Sequence, residues 1–319
     1  METIITNSPE DAAEFIKRGG IVAFPTETVY GLGADVFDEA AIKRIFEAKR
    51  RPGDNPLIAH VGALEQIGEL ATEITETAKK FIDVFFPGPL TVVLTKAADV
   101  PMVATAGLDT VGVRMPGNQL AREFLRSCGT AVAAPSANIS GRPSPTTWQA
   151  VYEDLNGRID CILRGEPTEI GLESTVVDCT GDVPIVLRSG SVTIEQLRAV
   201  VPETRVYQMS ETEAPRSPGL RHRHYSPLAK VILVTLDKET QSLPLPALTS
   251  KAAFIGLGSV RETYMQKRIC INIAEYAHAV YEFFRECDRA GVETIYCESV
   301  DEAGIGAALM DRIRRAAAG

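Results

Sequence analysis

Short apolar runs and helical periodicity alternate along the first two thirds of the chain. Residues 9–18 (PEDAAEFIKR) predict a helix, with Ser8 as N-cap, Pro9 in the first turn and Gly19 and Gly20 ending it. Residues 21–24 (IVAF) predict a buried strand stopped by Pro25, and the glycine-punctuated TETVYGLGA that follows predicts a loop. Ile42, Ile45 and Phe46 recur at helical spacing in residues 39–49, which end at Pro52 and Gly53. Residues 57–59 predict a strand, 64–84 a helix, 90–94 and 111–114 strands, 118–127 a helix, and 131–134 a strand running into Pro135. Strands interleaved with helices in this way predict an α/β fold.

The pattern breaks at residues 209–229 (MSETEAPRSPGLRHRHYSPLA follows Gln208), which read as a linker rich in proline and poor in aliphatic residues. Arg216, Arg221, His222, Arg223, His224 and Tyr225 crowd into it. A solvated basic loop and a segment folded back over an anionic site both fit that composition. Beyond it, residues 231–236, 252–258, 270–273 and 294–300 predict strands, and 275–289 and 302–316 helices. This is a second, smaller α/β unit with a parallel sheet. The expected division is residues 1–208, a linker at 209–229, and 230–319.

Composition narrows the functional class. The 319 residues are 45% hydrophobic, with 33 Lys and Arg against 42 Asp and Glu, a net charge of −9. An acidic chain with 6% aromatics argues against extensive nucleic-acid binding but permits a local basic pocket. Cys128, Cys161, Cys179, Cys270, Cys287 and Cys297 form no C-x-x-C pair, so the expectation is reduced, buried thiols and no protein-bound metal. No secretory signal or membrane-length apolar run is evident, and the expectation is a cytoplasmic protein without membrane contact.

Several segments carry candidate chemistry. In AKRRPGDNPLIAH (48–60), Lys49, Arg50 and Arg51 sit at a helix C-terminus, where the dipole alone favours cations. The rigid turns at Pro52 and Pro56 could aim these heads at one point, a pairing suited to polyphosphate, with His60 ending the next strand. APSANISGRPSPTT (134–147) places small hydroxyl and amide residues after a strand, where ligands of α/β folds bind, although turns favour the same residues. Arg114 and Arg188 each end an apolar strand, and LESTVVD (172–178) adds Ser174 and Thr175. PTETVYGLGA (25–34) matches neither a dinucleotide nor a Walker loop, and Glu27 reads as a hydrogen-bonding residue. Gly256 and Gly258 are only a fragment of a dinucleotide fingerprint. No nucleophile–base arrangement stands out, so the inventory suits a reaction whose substrate supplies the nucleophile.

Taken in order, FPTETVYGLGA, Lys49-Arg50-Arg51 with PGDNPLIAH, TVGVRMP, Ser136-Ala137-Asn138, LESTVVD and LRSG resemble the YrdC-like domain over roughly residues 8–205. With SPGLRHRHYSP and the trailing unit, the chain resembles the two-domain form of the threonylcarbamoyl-AMP synthase family. That resemblance implies a twisted mixed sheet with a basic concave cavity, a linker that covers it, and a Rossmann-like C-terminal domain. It implies synthesis of L-threonylcarbamoyl-adenylate and pyrophosphate from L-threonine, bicarbonate or CO₂, and ATP with Mg²⁺. The product would pass to proteins that modify adenosine 37 of tRNA. By motif position, Lys49 and Arg51 would be catalytic and hold the triphosphate. Asn55, Thr110, Ser136, Asn138, Ser144 and Arg188 would join them on ATP. Thr28, His60, Arg114, Ala134 and Ser174 would hold threonine, and Arg223 and Tyr225 of the linker would reach the site. The alternative is an RNA-binding module using the basic cavity.

Overall fold

The computed structural model describes residues 2–207, 225–236, 251–260 and 263–318. The first unit is one mixed sheet. Its strands are β1 (Ile4–Thr6), β2 (Val22–Phe24), β3 (Gly31–Asp35), β4 (Ile58–His60), β5 (Leu90–Thr95), β6 (Thr110–Arg114), β7 (Val132–Ala134), β8 (Cys161–Leu163), β9 (Thr175–Asp178), β10 (Ile185–Arg188) and β11 (Arg205–Val206). They lie in the order β1-β8-β2-β3-β7-β4-β6-β5-β9-β10-β11. The central strands β3, β7, β4 and β6 therefore bring segments distant in sequence edge to edge, with Ile58 opposite both Ala134 and Gly112.

Helices α1 (Pro9–Lys17), α2 (Glu39–Lys49), α3 (Ile67–Leu70), α4 (Glu76–Phe85), α5 (Gln119–Cys128), α6 (Trp148–Leu155) and α7 (Ile194–Val200) accompany this sheet. Ser8 caps α1 by accepting from the Asp11 amide, with Pro9 in the first turn. Asp38 caps α2 in the same manner. The main core packs Ile42, Ile45, Leu57, Phe81, Leu90 and Val113 between helices and sheet. A smaller cluster around Phe24, Phe124 and Leu163 fills the opposite face under α1 and α5.

The second unit holds β12 (Lys230–Val234), β13 (Ala252–Gly256), β14 (Gln266–Ile269) and β15 (Thr294–Glu298) in the order β12-β15-β13-β14, all parallel, with α8 (Ile273–Ala290) and α9 (Gly306–Ala317). This is the small parallel α/β unit expected from the pattern. Its core centres on Tyr276, Phe283, Phe284 and Ile295, and it extends across to Val29 and Leu172 of the first unit.

Three local expectations are corrected. The segment read as a loop after Pro25 contains β3, because its glycines serve close packing: a Cβ on Gly33 would lie 2.4 Å from Val132 Cγ1. The single helix expected over 64–84 is broken, since Ala71 bridges to Lys96 and the Thr72 amide pairs with Thr95 O before Thr75 caps α4. The strand expected at 270–273 lies earlier, at β14. It is an edge strand with polar Gln266, Lys267 and Arg268 and lacks an apolar signature, while Asn272 caps α8. Among the described residues, all six cysteines are free and buried, and no helix is long and apolar enough to cross a membrane.

Candidate active site

A cavity opens over the central strands, enclosing about 730 Å³ of space that is continuous with solvent. The strand crossings put residues from six segments of the first unit on its wall, and Tyr225 adds a seventh.

The Lys49-Arg50-Arg51 run is resolved into three roles by one backbone event. Arg50 closes α2 in the left-handed conformation (φ 52°) and stays exposed, and the Arg51 amide returns to Phe46 O at 2.9 Å. This turn aims Arg51 into the cavity, where its Nη2 donates to Asn55 O at 3.1 Å. Buried Arg51 Nε and Asn55 Oδ1 have no hydrogen-bond partner among the described residues, as expected of groups awaiting a ligand. Burial lowers the Arg51 pKa to about 10.

Lys49 does not line the cavity, which corrects its expected placement on the wall. The last turn of α2 faces inward, so the Lys49 ammonium lies behind the wall and donates to Ser136 O and Asn138 O. Burial, and then Arg51, pull its pKa well below the ordinary lysine value. Thr110 is also absent from this wall. It starts β6 and lines an adjoining recess between Leu57, Val93 and Val176 that shares Pro56 and Ile58 with the cavity.

Ser136, Asn138 and Ser144 do reach the cavity. Asn138 ties the loop together, accepting from Ser136 Oγ at 2.6 Å and donating to Ile139 O and Arg142 O. Ser144 Oγ donates to Glu173 at 2.6 Å. Arg188 ends β10 and is held by Ser174 O and Ser174 Oγ, both at 3.0 Å. Behind it, a Cβ on Gly190 would lie 2.3 Å from the Thr175 amide nitrogen and 2.7 Å from Glu173 O. Gly190→Ala is therefore expected to push the 173–175 strand entry away and destabilise the fold by about 1–3 kcal/mol, read as a lower denaturant midpoint.

The cavity also gathers Thr28, His60, Arg114, Ala134 and Ser174. Arg114 is 3% exposed, and its guanidinium donates to Gly88 O, Thr28 Oγ1 and Glu27. The Glu27 ion pair is 2.6 Å long. Burial pushes the Glu27 pKa up, but Arg114 outweighs it and keeps the carboxylate below its usual range. Glu27 is thus the hydrogen-bonding residue expected. His60 packs edge-on against Phe24, with Nδ1 3.1 Å from Ile58 O.

Burial, and then Arg114, depress the His60 pKa from its ordinary 6.5 to about 3. The unfolded chain takes up this proton below 6.5 and the folded chain does not. Stability from this group is therefore complete above 6.5 and falls by about 1.4 kcal/mol per pH unit on descent toward 3. His60 ring resonances are expected to show no titration between pH 5 and 8 by NMR, which checks the assignment.

Sequence reasoning missed Thr26, Arg142 and Glu173 on the wall, and missed Arg312, Tyr281 and Arg285 behind it. The two buried arginines of α8 and α9 read in sequence as ordinary charged helix positions, and no local signal distinguishes them. Tyr225 lines the cavity with φ +63°, and Arg223 lies outside the described residues.

Comparison with known proteins decides the family. A family model described as telomere recombination (Sua5, YciO and YrdC proteins) matches residues 14–190, and one described as the threonylcarbamoyl-AMP synthase C-terminal domain matches 192–318. The threonylcarbamoyl-AMP synthase of Pyrococcus abyssi is 44% identical, over 96% of this chain and 92% of its own. The chain belongs to the threonylcarbamoyl-AMP synthase family. It is an enzyme of the nucleotidyltransferase type. The threonylcarbamoyl-AMP synthase of Bacillus subtilis is 39% identical over all of this chain and 96% of its own. The crystal structure of P. abyssi Sua5 complexed with L-threonine superposes with a TM-score of 0.89 at 41% identity, covering 99% of this chain and 97% of that one. The large mixed sheet and small parallel sheet are thus those of known synthases.

Proposed function

We propose that this synthase joins L-threonine, bicarbonate or CO₂, and ATP into L-threonylcarbamoyl-adenylate, releasing pyrophosphate. The observation that carries the reading is the convergence of two kinds of side chain on one cavity. Arg51, Arg188, Ser136 and Asn138 gather in the same hollow as Arg114, Thr28 and His60. The first set suits phosphate oxygens and the second an amino acid carboxylate and hydroxyl. Convergence inside a hollow favours a small nucleotide over an RNA backbone.

The threonine carboxylate would pair with the Arg114 donors not spent on Gly88, Thr28 and Glu27, with neutral His60 beside it. The threonine amine captures CO₂ as a carbamate, and a carbamate oxygen attacks the α-phosphorus while pyrophosphate leaves. The nucleophile comes from the substrate, so the chain's task is to hold two substrates in register and balance charge at phosphorus. Ser144, bonded to Glu173, and Ser174, bonded to Arg188, also line the cavity and would contact the substrates there. Thr110, in the adjoining recess, would serve the nucleoside end, and Ala134 the threonine end.

Magnesium would arrive as the ATP complex. Among the described residues no group of three His, Cys, Asp or Glu could hold a metal, and Glu173 on the cavity wall and Glu27 beside Arg114 are each engaged by an arginine. The ion is therefore left to phosphates and water. We read residues 1–208 as the catalytic unit, 209–229 as a linker whose Tyr225 reaches the cavity, and 230–319 as the second domain. The adenylate would then serve proteins that transfer threonylcarbamoyl to tRNA adenosine 37.

The deciding assay incubates the protein with ATP, bicarbonate and labelled threonine. Pyrophosphate and a threonine–AMP adduct are expected together. Pyrophosphate release that does not depend on threonine would overturn the assignment.

A further inference from the structure

The second unit sends a charge to the back of the cavity wall. Arg312 of α9 is 1% exposed, and its Nε donates to Glu173 Oε2 at 2.9 Å while Nη2 donates to Ser189 O at 3.0 Å. Glu173 Oε1 accepts from Ser144 Oγ at 2.6 Å, and Tyr281 of α8 donates its hydroxyl to the same carboxylate at 3.1 Å. The Tyr225 ring lies over the Arg312 guanidinium at 5.4 Å and stacks on Tyr281 at 5.5 Å. Among the described residues, every donor to the Glu173 carboxylate except Ser144 thus comes from α8 or α9.

Glu173 itself lines the cavity beside Ser144 and Arg188. Burial pushes its pKa up, but Arg312 and then Arg188 outweigh that and hold it below the usual carboxylate range. It is therefore an ionised carboxylate in the wall of a site for a triphosphate, and like charges repel strongly where water is excluded. A counter-charge is required, and its direction matters. Arg188 lies on the cavity side and is already held by Ser174, so neutralising Glu173 would take it away from phosphate. Arg312 lies on the far side.

We propose that Arg312 is a positioning residue for adenylation: it neutralises Glu173 from behind the wall, leaving Arg188 for the nucleotide and fixing the Ser144 hydroxyl. The inference deepens the proposed function and rests on it. It makes the nucleotide-binding residues of the cavity dependent on the second domain, whereas Arg114, Thr28, His60 and Glu27 belong wholly to the first.

The test is calorimetric titration of the full chain with Mg-ATP and, separately, with L-threonine, together with a thermal melt of each variant. Arg312→Met is expected to weaken ATP by about tenfold or more while leaving threonine within about twofold. Adding Glu173→Gln to Arg312→Met is expected to restore most of the ATP affinity, because the unbalanced charge is gone; a purely structural role would show as a recovered melting temperature with ATP affinity still weak. ATP affinity unchanged in Arg312→Met overturns the inference, and so does a double variant as weak as the single. Should Arg312→Met not fold, the double variant decides alone: parent-like ATP affinity supports the inference and lost affinity overturns it. A parent chain that binds no ATP at all sinks the functional reading itself, a result distinct from any behaviour of the variants.

Discussion

Arg51→Ala is expected to cut adenylate formation by about a thousandfold, comparable to removing one preorganised oxyanion donor or more. The reason lies in what Arg51 lacks. Its guanidinium is pulled to a pKa of about 10 by burial, and among the described residues no carboxylate forms a salt bridge with it and its Nε has no partner. A cation held in that state is preorganised for an anion and costs the empty fold stability. The variant should therefore melt no lower than the parent while pyrophosphate release collapses. Lys49→Ala separates the two roles of the basic run. Its ammonium braces the carbonyls of Ser136 and Asn138, and those buried acceptors would be orphaned, so a comparable activity loss should come with about 2 kcal/mol of lost stability. Equal melting temperatures for the two variants would show that Lys49 does not act as a brace.

Arg114→Ala should do more damage to the fold than any other single change at the site. It leaves Glu27 buried and ionised, with the Thr28 hydroxyl and Gly88 carbonyl also unmatched. Breaking a buried pair from one side costs about 3–5 kcal/mol. Threonine affinity should fall by about a hundredfold or more, and ATP affinity far less. Arg114→Ala combined with Glu27→Gln removes the stranded charge, so it should recover stability without recovering threonine binding. Calorimetry with threonine, set beside the melts, checks this. Threonine affinity retained in the double variant would show that the carboxylate anchor lies elsewhere.

The legible and illegible parts of the site differ in physical kind. Arg51, Asn55, His60, Arg114, Ser136, Asn138, Ser144, Ser174 and Arg188 were recoverable because each sits in a segment whose local grammar is unusual: a basic run closed by proline and glycine, a strand ending on arginine, or a hydroxyl-rich loop after a strand. The resemblance to YrdC-like proteins then ordered them. Glu173 lies within LESTVVD, but a carboxylate in an anion site makes sense only beside its counter-ion, here Arg312. Arg312 and Arg285 gave no warning because a charged residue on an amphipathic helix normally faces water. Here Arg285 meets Asp154 at 2.9 Å and Pro143 O at 2.6 Å across the domain boundary.

The alternation of short apolar runs with helical periodicity determined the two α/β units, and the Ser8 cap set a helix start that the structure reproduces. Motif order along the chain determined the family. Only the tertiary structure decided that Lys49 stands behind the wall and Arg51 in it, that glycines at 31 and 33 belong to a strand, and that two arginines from the far end of the chain underpin the cavity. Periodicity and caps are written in neighbours a few residues apart, so a linear reading finds them. Counter-charges arise between residues as far apart as Glu27 and Arg114 (87 positions) or Glu173 and Arg312 (139), and these contacts and the close strand approaches exist only once the sheet order has been chosen.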